Sequence, residues 1–159
     1  MPLARLFGSL RSRRRAHDPT QRWSGPPDAT PIHTLLDQRG VPWRLTAADL
    51  VQRFGETDGR VEIPTAQPFL PGLVRPLSAA LDPHAPRDRP ATAFSALVRR
   101  GGDPAGDLRL TADEVSLYLG RVRIHRSGRA ATALWRFGAA SLELVATPDG
   151  CRVDIRLSD

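Results

Sequence analysis

From Gly120 to the end of the chain, apolar and polar residues alternate with a period of two, and no other feature constrains the fold as much. A strand sends successive side chains to opposite faces, so this period specifies strands with one face buried. Arg121-Val122-Arg123-Ile124-His125 alternates, Ser127-Gly128 is a turn signal, and Thr132 to Phe137 is strand-like until Gly138 breaks it. Ala140 to Ala146 resumes the pattern, Pro148-Asp149-Gly150 turns, and Val153, Ile155 and Leu157 occupy alternate positions. The reading is a four-stranded antiparallel meander. Its inward set is Val122, Ile124, Ala133, Trp135, Phe137, Leu142, Leu144, Val153, Ile155 and Leu157, with Trp135 in the core.

A helix precedes the meander. Arg109-Leu110-Thr111-Ala112-Asp113-Glu114 to Gly120 specifies one by a Thr111 N-cap, a Glu114 capping-box partner and a Gly120 stop, so the helix is expected over 111–119. Arg44-Leu45-Thr46-Ala47-Ala48-Asp49 to Gly55 carries the same signals 65 residues earlier, with Asp49 as the shorter capping partner. The echo suggests two degenerate tandem repeats, 41–105 and 106–159. Ile32 to Arg39 reads as a first helix with Leu35 and Leu36 inward. Between the echoes, Pro residues interrupt the chain repeatedly. There Val61–Ile63 and Phe69–Val74 are expected as short edge strands, Leu77–Leu81 as a helical turn, and Ala93–Arg100 as either helix or strand. The fold class is therefore α+β, with short capped helices on one face of an antiparallel sheet.

The chain has 159 residues and a net charge of +6, and its 23 basic residues are all Arg. Residues 1–22 hold six Arg against Asp18 alone, so five of the six net charges belong to a tail and the body is nearly neutral. Leu3, Leu6, Phe7 and Leu10 fall on one helical face beside Arg5, Arg11, Arg13, Arg14 and Arg15. A basic amphipathic stretch of this kind can lie on an anionic membrane surface, dock a partner groove or contact nucleic acid, with a solubilising leader as the alternative reading. Residues 1–31 are thus expected as a Pro-containing tail and 32–159 as one folded domain. No apolar run reaches the ~20 residues of a membrane span, no secretory h-region is present, and a cytoplasmic location is expected.

Catalytic motifs are absent from the sequence. His17, His33, His84 and His125 lie far apart without metal-ligand spacing, and there is no phosphate loop, nucleophile elbow or CxxC pair. Neither a metal nor a cofactor is implied. A Cys151–His125 nucleophile is the one catalytic pairing available, without a third group or an oxyanion hole. The outward face of the meander is more heavily loaded. Arg121, Arg123, His125, Leu134, Arg136, Arg152 and Arg156 are candidate contacts for an acidic protein partner, with solvated cross-strand ion pairs as the alternative.

The run Thr111-Ala112-Asp113-Glu114-Val115 to Leu119-Gly120, then Trp135-Arg136-Phe137, then Asp149-Gly150-Cys151-Arg152-Val153, resembles the β-lactamase inhibitor protein fold. It is also similar to the small outer-membrane assembly lipoproteins of the SmpA/OmlA type. The resemblance implies an architecture and a binding habit using the open face of a sheet; it assigns no functional residue. Those families act outside the cytoplasm, whereas this sequence shows no signal peptide or lipidation Cys. The expected function is a non-catalytic binding module, in its concrete form a toxin-neutralising (immunity) or inhibitory protein. The alternative is attachment to an anionic surface or nucleic acid through the tail.

Overall fold

The computed structural model describes residues 28–65 and 68–158. Arg5, Arg11, Arg13, Arg14 and Arg15 lie outside the described residues. Three helices, α1 (Thr30–Gln38), α2 (Ala47–Phe54) and α3 (Pro104–Leu119), pack on a sheet of seven strands. The strands are β1 (Arg60–Ile63), β2 (Leu77–Ala80), β3 (Ala93–Val98), β4 (His125–Ser127), β5 (Ala130–Phe137), β6 (Ala140–Thr147) and β7 (Gly150–Arg156). Their spatial order is β1-β2-β3-β7-β6-β5-β4, and every neighbouring pair is antiparallel.

The α+β expectation holds, and the sheet is larger than the predicted meander. The four C-terminal strands do run β7-β6-β5-β4, but β3 pairs with β7 over six residues, Ala93↔Arg156 to Val98↔Cys151, and joins β1 and β2 to them. Every strand except the short β4 buries alternate residues: Val61 and Ile63, Leu77 and Ala79, Phe94 to Val98, Ala133 to Phe137, Leu142 and Leu144, Val153 and Ile155. These share one core with Ile32, Leu35, Leu36, Leu50, Leu108 and Val115 from the helices. α3 packs on β5, β6 and β7, α1 on α3 and β6, and α2 on β1, so one face of the sheet is covered.

Helix α2 obeys its sequence signals. Thr46 accepts from the Asp49 N–H at 3.1 Å, and Gly55 ends the helix at φ 81°. Helix α3 does not begin where its echo predicts. Asp103 is the N-cap, accepting from the Gly106 N–H at 2.7 Å, and Pro104 opens the first turn, where its missing N–H costs nothing. Thr111 is therefore a buried residue of the helix interior, and its hydroxyl donates to the Asp107 carbonyl one turn back at 2.7 Å. The end of the helix is as predicted: Gly120 sits at φ 84°, and Trp135, 1% exposed, donates its indole N–H to the Gly120 carbonyl at 2.9 Å.

Other expectations are corrected. α1 starts at Thr30 rather than residue 32, with Pro31 in its first turn and the Asp28 carboxylate accepting from the Thr30 N–H. Leu77–Ala80 is a strand and not a helical turn, because Leu77 and Ala79 gain a buried face against β1 and β3 that an isolated turn flanked by prolines lacks. Phe69–Val74 is a loop, turned by Pro71-Gly72, that buries Phe69 and Leu70 and meets the end of β3 in the isolated bridge Leu73↔Val98, with the Val74 N–H donating to the Leu97 carbonyl at 2.9 Å. Ala93–Val98 resolves as strand. Residues 121–124 precede β4 without pairing into the sheet, and Val122 and Ile124 are half-buried rather than core.

Gly150 closes the β6–β7 turn against the end of β3, where an added Cβ would lie 2.5 Å from the Val98 carbonyl oxygen. Gly128 has φ 61° and open space around its missing Cβ. Gly128→Ala is expected to cost only about 1–2 kcal/mol of left-handed strain. Gly150→Ala should cost a further ~1–3 kcal/mol of overpacking, read as the lower urea midpoint of the two.

Candidate functional site

The uncovered face of the sheet carries the site, and the strand register sorts its side chains into three rows running across the strands. The first row is Arg60, Ala80, Ala93, Arg156, Ser141 and Arg136, from β1 to β5. The middle row is Glu62, Ser78, Ser95, Asp154, Glu143 and Leu134. The third row is Leu97, Arg152, Val145, Thr132 and His125, from β3 to β4. Successive rows are two strand residues, about 7 Å, apart. The face is thus striped basic, acidic, basic.

Between β1 and β7 the small residues Ser78, Ala80, Ala93 and Ser95 floor a trough of about 1380 Å³. It runs along the strands and spans about 14 Å, three strand spacings. Arg60 reaches across β2 to donate to the Ser95 hydroxyl at 3.1 Å, and the Ser78 and Ser95 hydroxyls lie 3.4 Å apart. Arg75 and Arg99 line one end, Arg99 held by two hydrogen bonds to the Asp149 carbonyl at 2.9 and 3.1 Å. At the other end lie Asp58 and Glu56. Arg87 grips the Glu56 carboxylate through both oxygens, at 2.7 and 3.1 Å, and this pairing holds the carboxyl below its ordinary pKa.

Most charges on this face are not neutralised within it. The single ion pair among the row residues is Arg152–Asp154 at 2.7 Å, on one strand, with side chains 51% and 33% exposed. Pairs so open to water contribute about 0–1 kcal/mol. Arg60, Arg136 and Arg156 form no salt bridge among the described residues, and neither do Glu62 and Glu143. The cross-strand ion pairing that would make this an ordinary solvated face is therefore missing.

His125, Leu134, Arg136, Arg152 and Arg156 stand on this face as the sequence predicts. Arg121 and Arg123 do not join them in the register, because the chain before His125 is not paired into the sheet. Arg60, Glu62, Ser78, Ser95 and Arg75 also belong to this site, though no local sequence signal groups them. The alternation Arg60-Val61-Glu62-Ile63 was a visible strand signal, but nothing local places it beside the C-terminal hairpins.

The Cys151–His125 pair does not assemble. Cys151 is buried on the helix-covered face, whereas His125 pairs with Thr132 on the open one, three strands and about 14 Å away. Burial above all, and then the charge of Asp107, push the Cys151 thiol from 9.0 up to about 11, against an opposing hydrogen bond with Thr111. A separate polar cluster stacks His33 on Trp43 at 4.0 Å with the Arg44 guanidinium 4.1 Å from the Trp43 ring. Asp37 accepts from Trp43 Nε1 and from Arg44, both at 2.8 Å, so this cluster clamps α1 to the connection that follows it. Among the described residues no group of three His, Cys, Asp or Glu side chains could hold a metal ion, and no helix is long and apolar enough to cross a membrane. No protein-family model, curated protein or solved structure matches the chain.

The raised thiol pKa has a stability consequence. An unfolded Cys151 ionises near 9.0 and the folded one near 11, so its contribution is fully present below pH 9 and is lost as pH rises to about 11. Urea midpoints of the wild type are expected to fall more steeply between pH 9 and 11 than those of Cys151→Ser.

Proposed function

We propose that the chain is a non-catalytic protein-binding module that engages a predominantly acidic partner through the uncovered face of its sheet. The observation that carries this reading is the set of unneutralised charges, Arg60, Arg136 and Arg156 above all, displayed on a sheet whose other face builds the core. The likeness of the 111–153 pattern to a sheet-using inhibitor supports it. A toxin-neutralising or inhibitory protein acting in the cytoplasm is the concrete form of the proposal.

Capture from a lysate of the source cells, with nuclease present, tests it. Arg136→Glu/Arg152→Glu/Arg156→Glu is expected to lose a stoichiometric partner by about 2 kcal/mol or more, because reversed charges oppose the same surface. Undiminished capture by the triple variant overturns this reading.

The six Arg of residues 1–22 favour a second reading, attachment to an anionic polymer or membrane. It predicts steep salt dependence of binding to anionic vesicles or nucleic acid. In the full chain that binding should disappear when Arg11, Arg13, Arg14 and Arg15 are changed together to Gln, and its persistence would exclude the tail.

A further inference from the structure

We infer that the trough receives an extended protein segment bearing acidic, basic and acidic side chains on alternate residues. This rests on the reading of the open face as the binding surface and specifies the chemistry of what binds there. The argument is one of complementarity. Along the trough the walls present Arg60 and Arg156, then Glu62 and Asp154, then Arg152 with Arg75 and Arg99 at the end. The repeat of about 7 Å is also the distance between residues i and i+2 of an extended chain laid parallel to these strands. A segment reading acid-x-base-x-acid thus sets each charge against its opposite.

The floor allows close approach. Ser78, Ala80, Ala93 and Ser95 project little above the sheet, and the two hydroxyls provide hydrogen-bonding partners for a basic group between Glu62 and Asp154. The contacts that such a segment displaces are weak: an exposed Arg152–Asp154 pair and one hydrogen bond from Arg60 to a hydroxyl.

The same stripes reject other occupants. A nucleic-acid backbone would bring phosphates onto Glu62, Asp154 and Glu143 in the middle row. A second copy docked about an in-plane two-fold axis through the middle row, whether along the rows or along the strands, would set the acidic row on itself and basic rows on basic rows.

Two synthetic peptides of identical composition separate order from net charge: Thr-Glu-Thr-Lys-Thr-Glu-Thr and Thr-Glu-Thr-Glu-Thr-Lys-Thr. Centred on the three rows, the second places a Glu on the acidic row in either direction. Titrated into the full chain at low salt, the first is expected to bind about tenfold more tightly, a gap that shrinks as salt rises. Glu62→Arg/Asp154→Arg should abolish the preference, and Glu62→Gln/Asp154→Asn, which adds no bulk, should reduce it. Equal binding of the two peptides, tighter binding of the second, or binding of neither overturns the inference.

Ser78→Trp and Ser95→Trp, each projecting an indole from the floor into the trough, distinguish this failure from failure of the underlying reading. If they abolish capture of the cellular partner while the peptides show no order preference, the face binds but the stripes do not select. If capture survives them, the binding surface lies elsewhere and both statements fall.

Discussion

The pairing of β3 with β7 is the constraint on which the rest of the molecule depends. It joins two chain segments separated by a sixteen-residue helix and the three strands β4, β5 and β6 into one sheet, and its register aligns every row of the open face. A slip of one residue would exchange Phe94, Ala96 and Val98 with Ala93, Ser95 and Leu97, exposing the core and burying the trough floor. Two features hold the seam at the end where β3 leaves the sheet. Gly150 lets the β6–β7 turn close onto the Val98 carbonyl, and buried Asp107 accepts from the Arg100 and Gly102 N–H groups, fixing the loop that leads into α3. α3 then crosses beneath β7, β6 and β5, closing the core on that side and leaving the opposite face bare.

That bare face is more than leftover surface. A solvated sheet face ordinarily gains a few tenths of a kcal/mol from each cross-strand pair of opposite charge, so pairing is available wherever opposite charges are neighbours. Here the middle row places Asp154 directly opposite Glu143, like against like, and the first row spaces its arginines with Ala80, Ala93 and Ser141. Register has segregated charge by sign instead of interleaving it, which forgoes internal pairing and creates a pattern that another surface can read.

How much of this was legible in the sequence follows from the range of each interaction. The C-terminal hairpins were legible because turn residues and period-two alternation lie within a few residues of each other, and Trp135 fell in the core on that basis alone. The N-terminus of α3 is not legible because Thr111 and Glu114 satisfy the local rule for a capping box, while the N-cap that forms, Asp103, lies eight residues upstream. Leu77–Ala80 carries too little signal of its own; its strand identity is conferred by β1 and β3. The trough was illegible for the same reason. Arg60, Ser78, Ser95 and Arg152 come from four strands, and only the β3–β7 register, a long-range fact, makes them neighbours.

The energetics of such a face favour discrimination over raw strength. Each exposed charge pair contributes little, and the small floor offers modest apolar area, so no single contact dominates binding. A mismatch acts differently from a missing contact. A partner displaced along the trough by one row meets repulsion on both of the rows it still covers, because every basic row borders the acidic one. The penalty for the wrong register therefore grows with the number of rows engaged, while the gain for the right one remains moderate. A binding module built this way distinguishes partners by the order of their charges as well as by the sum, which a uniformly basic surface of the same net charge cannot do.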